Sequence, residues 1–315
     1  MEKLIVSTSP HFKHKDTTQS IMLDVLLALT PATLAAMILY GLHALLIVSV
    51  CLISAVGSEY LFNLATKKKQ TIFDGSAAVT GLLLALNLPA TTTVWQCIVG
   101  SVFAIVIVKC VFGGIGCNFV NPAITARILL LLSFGKTVAG GVYPTYGDIT
   151  EKIVAGATPL AEMKNGNLDA LPSLLDMFLG LRGGAIGEGC ILALLIGFVY
   201  LLVRKVISWE TPVVFIGTVF VLSLIIQADF TLALYQVMGG GLVIGAVFMA
   251  TDYSTTPLNK WGKVVFALGA GLITILIRNF GSYPEGVSFA IIFMNILSPY
   301  IEKWCAPRPL GGVKA

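Results

Sequence analysis

"FDGSAAVTGLLLALNLP" (residues 73–89) and "GGIGCNFVNPAITAR" (residues 113–127) each open at a glycine or proline and run into an apolar stretch. Their apolar parts, 75–88 and 119–135, are short for a helix that must cross a hydrocarbon core of ~30 Å, which takes roughly 20 residues. Helices that start at such breaks are tolerated at membrane depth only where their ends are buried in protein or line a cavity. The two stretches therefore predict a polytopic membrane protein built with discontinuous helices. Composition agrees: 57% of the 315 residues are hydrophobic and 11% are charged, with mean hydropathy +0.91. A soluble domain carries about 25% charged residues.

Working outward, ten apolar segments are expected, near 21–40, 43–65, 75–88, 94–113, 119–135, 185–203, 212–227, 232–250, 262–279 and 285–303. The fold class is all-α: about ten transmembrane helices. Residues 75–135 run as a Gly-rich short helix, "LPATTT", a Trp-led span, a Gly-rich break and another short helix. Residues 239–303 repeat that order, from "GGGLVIGAVFMATDYSTTP" through Trp261 to "NFGSYPEG" and a last helix. With five spans per half, the second copy enters from the opposite face, an inverted-topology repeat. The domain plan is a leader at 1–20, a five-span repeat at 21–135, a long loop at 136–184, a second repeat at 185–304 and a tail at 305–315.

The basic residues orient the chain. With the N-terminus inside, Lys67, Lys68, Lys69, Arg204, Lys205, Lys260, Lys263 and Lys303 fall on the cytoplasmic side with the basic residues of both termini. The other side receives Lys136, Lys152, Lys164 and Arg182, all in the long loop. This asymmetry is the positive-inside pattern. It places both termini in the cytoplasm and loop 136–184 outside. The leader is polar and basic with no apolar core, unlike a cleavable signal. The formal charge of +4 gives no case for nucleic acid.

Charge inside a membrane is costly and marks functional candidates. Asp24, Glu59, Asp74, Lys109, Arg127, Asp252, Arg278 and Glu285 lie within or at the ends of the segments. Lys109 and Arg278 are expected to snorkel from span ends; Asp74 fits two readings, capping of the helix after it or ion binding. Asp24 and Asp252 have no obvious local partner and are the candidates for an ion path. In "GCNFVNPAITAR", Pro122 suits a first helical turn. Asn118, Asn121 and Arg127 fit two readings, capping of a buried half-helix or holding an anion or a flavin ring edge at its positive end. The six cysteines form no CxxC pair and read as buried apolar groups; Cys117, in the Gly-rich break, is the one placed to approach a cofactor. No Walker motif, HExxH, nucleotide fingerprint or metal-spaced Cys/His cluster is present.

Taken together, "FDGSAAVTGLLLALNLP", "GGIGCNFVNPAITAR", "AGATPLAE" and "FMATDYSTTP" resemble the D subunits of the Rnf ion-translocating ferredoxin:NAD oxidoreductase complexes. They resemble less closely the B subunits of the sodium-pumping NADH:quinone reductases. The likeness covers essentially the whole chain. It implies a membrane subunit of an electron-transport translocase in a prokaryotic cell membrane, partnered by Rnf subunits A, B, C, E and G. It also implies FMN joined through its phosphate to a threonine of the outward loop by a flavin transferase. The matching residue is Thr158 in "KIVAGATPLAE" (152–162). Pro159 disfavours helix at Thr158 and is expected to keep its hydroxyl extended and accessible. The chain departs from the transferase pattern at Lys152, where the family has Asp, and at Ala155, where it has Ser or Thr. A second, non-covalent flavin such as riboflavin is implied between the halves, near Asn118, Asn121 and Arg127. The competing expectations are a small-solute channel or secondary transporter with no redox role, and a scaffold with an unmodified Thr158.

Overall fold

The computed structural model describes residues 17–144 and 155–306. Most of the leader and tail, and Lys152, lie outside these residues. The described chain is mostly helical, and its strands are two residues long each.

Helix α1 (Thr18–Ala65) starts at a reciprocal cap between Thr17 and Ser20 and runs 48 residues. It is two arms in fact, because Gly41 at φ 58°, ψ −138° turns the chain between them. Only a residue without a Cβ adopts that conformation at low cost. The expected break between 40 and 43 is therefore real, although helical structure resumes at once. Gly75 (φ 77°) precedes α2 (Ser76–Leu86), and the Asp74 carboxylate accepts from Ser76 N at 2.8 Å and Ser76 Oγ at 2.5 Å. Asp74 thus holds the first turn of the helix from just before Gly75, in line with the capping reading. Helix α3 (Val94–Val102) passes into a π-helical stretch, Phe103–Cys110. Helix α4 (Pro122–Ser133) begins with Pro122 and is capped by Asn121.

The segment that follows is not a bare linker. A short helix α5 (Gly135–Val138) leads into β1 (Gly141–Val142), which pairs antiparallel with β2 (Ala155–Gly156). Two short helices follow, α6 (Pro159–Asn165) and α7 (Leu174–Leu179). Gly184 bridges back to Val142, while Ile186 N and Gly187 N donate to Leu88 O (3.0 Å) and Leu86 O (2.7 Å) at the end of α2. These bonds fix the segment against the first part of the bundle.

The last helices are α8 (Ile191–Val203), α9 (Glu210–Gln227), α10 (Phe230–Met238), α11 (Leu242–Ile244), α12 (Lys260–Phe280) and α13 (Val287–Trp304). Helix α11 continues as a π-turn, Gly245–Met249. The axis bends by 61° at Gly239–Gly241 between α10 and α11. Among the described residues three helices are long and apolar enough to cross a membrane, or four if the bent pair is one span. Shorter apolar helices accompany them: α2, α3 with its π-helical stretch, α4 and α8.

Small residues let the helices touch. A Cβ on Gly197 of α8 would lie 2.2 Å from Ala28 O of α1, and one on Gly81 of α2 would lie 2.8 Å from Cys51 O. Without a hydrophobic drive between helices in lipid, such backbone contact supplies the packing. The outside is the reverse of a soluble protein, with Ile38, Ile53, Val203 and Ile225 all exposed. A continuous apolar surface of this kind is stable in lipid and a liability in water.

Candidate functional site

Two polar groups of residues interrupt the apolar core. The first borders a cavity of about 90 Å³ at the N-terminal ends of α1, α2 and α4. Met22, Val79, Leu83 and Phe248 supply apolar wall, and Ser76, Lys109, Asn118, Asn121 and Asp252 supply polar atoms. Residues from both the first and the last helices therefore enclose one space.

Lys109 does not snorkel. It is 2% exposed, as is Glu59, and its ammonium donates to Glu59 Oε2 at 2.9 Å and Ser76 Oγ at 2.6 Å. Thr71 Oγ1 donates to the other Glu59 oxygen at 2.7 Å and accepts from Asn63 Nδ2 at 3.1 Å. The π-helical stretch turns Lys109 inward; hydropathy alone reports its depth but not its direction.

Asn121 is committed to structure. Its Oδ1 accepts from Ala123 N (3.0 Å) and Ile124 N (3.2 Å), and its Nδ2 donates to Met249 O at 3.4 Å. Asn118 is different, since its buried Oδ1 has no partner. An acceptor left bare in this way costs free energy unless something donates to it. Asp252 lies in the turn after the π-helix and accepts from Ser254 Oγ and Thr255 Oγ1, each at 3.2 Å. Cys117 is exposed on the neighbouring glycine-rich loop. Asp24 has partners the sequence did not suggest: Arg204, with bonds of 3.0–3.3 Å, and Tyr200 Oη at 2.8 Å.

Arg127 is not part of this cavity's lining. It lies farther along α4, where its guanidinium donates to Ser288 Oγ at 2.8 Å and pairs with Glu285. That correction follows from helix geometry, because six residues at 1.5 Å each carry Arg127 roughly 9 Å from Asn121. Arg127 belongs to the second polar group, with Glu285, Arg278, Arg182 and Glu188. Arg278, buried rather than snorkelling, donates to Glu285 O (2.8 Å), Gly239 O (3.1 Å), Gln236 Oε1 (3.1 Å) and Gln236 O. Arg182 is 1% exposed and donates to Glu188 O at 2.8 Å, while Glu188 Oε1 accepts from Ala185 N at 2.8 Å. Sequence reasoning missed Glu188. Its signal was a carboxylate framed by glycines ("GEG") at the head of an apolar run.

Thr158 stands beside this second group. It is extended (φ −72°, ψ 154°), as Pro159 requires, but it is not accessible: it is 6% exposed. Pro159 opens α6 and Thr158 is its N-cap, with Oγ1 accepting from Ala161 N at 3.3 Å. Glycines make room around it; a Cβ on Gly141 would come within 3.0 Å of Thr158 Cγ2 and of Gly184 N. The ring of Tyr143, itself exposed, lies over Gly156 and Gly183. As an ester, Oγ1 would keep the lone pairs that cap α6. The glycine surfaces around it are already covered, Gly156 and Gly183 by the Tyr143 ring and Gly141 by Thr158 Cγ2 and the Gly183–Gly184 backbone.

Among the described residues no group of His, Cys, Asp and Glu is arranged for a metal ion. The sequence matches the NQR2, RnfD, RnfE family over residues 5–311. It is 44% identical over 313 residues to the D subunit of a Na+-translocating ferredoxin:NAD+ oxidoreductase complex from Acetobacterium woodii, covering 99% of this chain and 96% of that one. It is 40% identical to the D subunit of a proton-translocating counterpart from Clostridium ljungdahlii, covering 97% and 96%. The D subunit of an ion-translocating oxidoreductase complex from Stutzerimonas stutzeri is 35% identical, with 94% and 93% covered. With matches of this length and identity, the chain belongs to the NQR2, RnfD, RnfE family.

Proposed function

We propose that this chain is the flavin-carrying membrane subunit of a complex that couples ferredoxin:NAD electron transfer to Na+ or H+ translocation. Near-full-length similarity to D subunits carries the complex and its activity. The flavin assignment rests on "GATP" and on Thr158 heading a helix among glycines. FMN, bound through a phosphoester to Thr158, would supply a one- or two-electron carrier. Thr158 itself anchors it, beside the exposed Tyr143 ring that lies over Gly156 and Gly183. The chain works with Rnf subunits A, B, C, E and G and is matured by a flavin transferase.

The cavity near Asn118 is the proposed seat of a second, non-covalent flavin such as riboflavin. Asn118 Oδ1 would accept from a ring N–H, and the Met22 and Phe248 walls would hold the ring faces. Arg127, part of the second polar group, is left out of this seat. Asp24 and Asp252 remain the proposed ion-path carboxylates; Asp252 is the stronger because its side-chain partners, Ser254 and Thr255, are neutral.

The proposed topology is ten spans in two inverted repeats of five, with cytoplasmic termini and loop 136–184 outside. Three features support it. Gly41 divides α1 into two arms. The short helices α2 and α11 both start after a left-handed glycine, Gly75 and Gly241. Lys67–Lys69, Lys205 and Lys260 all follow or precede helices on the side that positive-inside placement makes cytoplasmic.

The test is a denaturing gel of the chain expressed with its partner subunits and flavin transferase, beside a known flavinylated control. A fluorescent band that vanishes in Thr158→Val establishes the covalent flavin. A dark wild-type band beside a bright control overturns it and favours the channel or scaffold readings.

A further inference from the structure

Leu160 follows Thr158 by two residues, in the first turn of α6, and is buried. Its side chain occupies the hollow that the helix break at Gly239–Gly241 leaves by having no side chains. A Cβ on Gly239 would lie 2.8 Å from Leu160 Cγ, and one on Gly240 would lie 2.4 Å from Leu160 Cδ1. Gly240 (φ 63°) and Gly241 (φ 65°) hold the left-handed conformation that produces the 61° bend. Arg278 fixes the same break from the other side by donating to Gln236 O and Gly239 O. The Thr158 segment is thus seated directly in the discontinuity of the last bent helix pair.

Its other flank is tied to the first helices. Gly141 packs on Thr158 Cγ2, and Tyr40 Oη, one residue before the Gly41 turn, donates to Val142 O at 3.3 Å. A short stretch, Thr158-Pro159-Leu160, therefore links to a turning point in each half of the bundle. Proline between the two contact residues removes slack, because its φ is locked near −65°.

We infer that Leu160 is a positioning residue for ion coupling: it transmits displacement of the Thr158 segment to the Gly239–Gly241 break. This rests on the reading of Thr158 as the carrier site. Two sites are energetically coupled only through an element whose arrangement both can bias, and here the element is the bent helix pair. Leu160 touches no reacting atom, so it acts on the ratio of ions moved to electrons transferred and leaves the electron path in place.

The experiment uses membrane vesicles carrying the whole complex, with reduced ferredoxin and NAD added. NADH formation, Na+ uptake and vesicle acidification are read together, and the chain is run on a denaturing gel for flavin fluorescence. Leu160→Ala is expected to keep the fluorescent band and most of the NADH rate while ions moved per NADH fall about fivefold or more, the lower range of site-to-site coupling. Leu160→Met, which refills the hollow, is expected to keep the wild-type ratio; if Leu160→Ala fails to assemble, Leu160→Val takes its place, with a smaller fall in the ratio expected and an unchanged ratio overturning the inference. An unchanged ratio in Leu160→Ala, or a parallel fall in NADH formation and ion movement, overturns it. A dark wild-type band instead overturns the Thr158 assignment, and the gel and the ratio separate the two failures.

Discussion

Replacing Lys109 with Met tests how the chain tolerates charge beneath the first polar cavity. The substitution keeps length and bulk but strands Glu59, whose Oε1 retains a hydrogen bond from Thr71 at 2.7 Å while Oε2 loses its partner at 2.9 Å. Both side chains are 2% exposed, so water does not replace the lost ammonium. Breaking a buried pair from one side costs about 3–5 kcal/mol, whereas removing both charges is close to neutral. At roughly 2 °C per kcal/mol for a chain of this size, Lys109→Met lowers the unfolding midpoint by roughly 6–10 °C. The buried thiols of Cys51, Cys97 and Cys110 give the assay, since a thiol-reactive dye reaches them only as detergent-solubilised protein unfolds. The double variant Lys109→Met/Glu59→Gln should recover most of the loss. If the single variant is as stable as the double, the ion pair does not stabilise the fold, and the pairing argument fails.

Two further outcomes follow from packing and capping. Gly197→Ala drives a Cβ into Ala28 O at 2.2 Å and should cost about 1–3 kcal/mol, the usual range for overpacking, read as a lower midpoint in the same dye assay. Asn121→Ala removes the cap of α4 and should destabilise by about 1 kcal/mol, with Asn121→Ser retaining most of it; equal midpoints for the two variants would remove capping as the role of Asn121.

The apolar segments and their breaks were legible because the lengths and glycines that set them are local. Gly75 before α2, Asn121-Pro122 before α4 and Gly41 within α1 act through their own backbone, and the sequence displays them. Pairing was not legible. Lys109 meets Glu59 across fifty positions and Arg127 meets Glu285 across more, so hydropathy assigned depth without a partner, and the snorkelling expectation for Lys109 and Arg278 failed on that point. Thr158 shows the same boundary. The following proline correctly implied an extended backbone, yet burial depends on Gly141 and Gly184, which only the folded hairpin brings beside it.

Arg278 has one consequence for where an ion can travel. In transport folds, carbonyl oxygens freed by a helix break are a common place for Na+ to shed its water. Here the carbonyls of Gln236 and Gly239 are already held by a cation on a side-chain stalk. A permanently charged guanidinium in that seat both satisfies the oxygens and repels a mobile cation approaching them. The gap between α10 and α11 is therefore a closed berth, already filled by charge from within the chain.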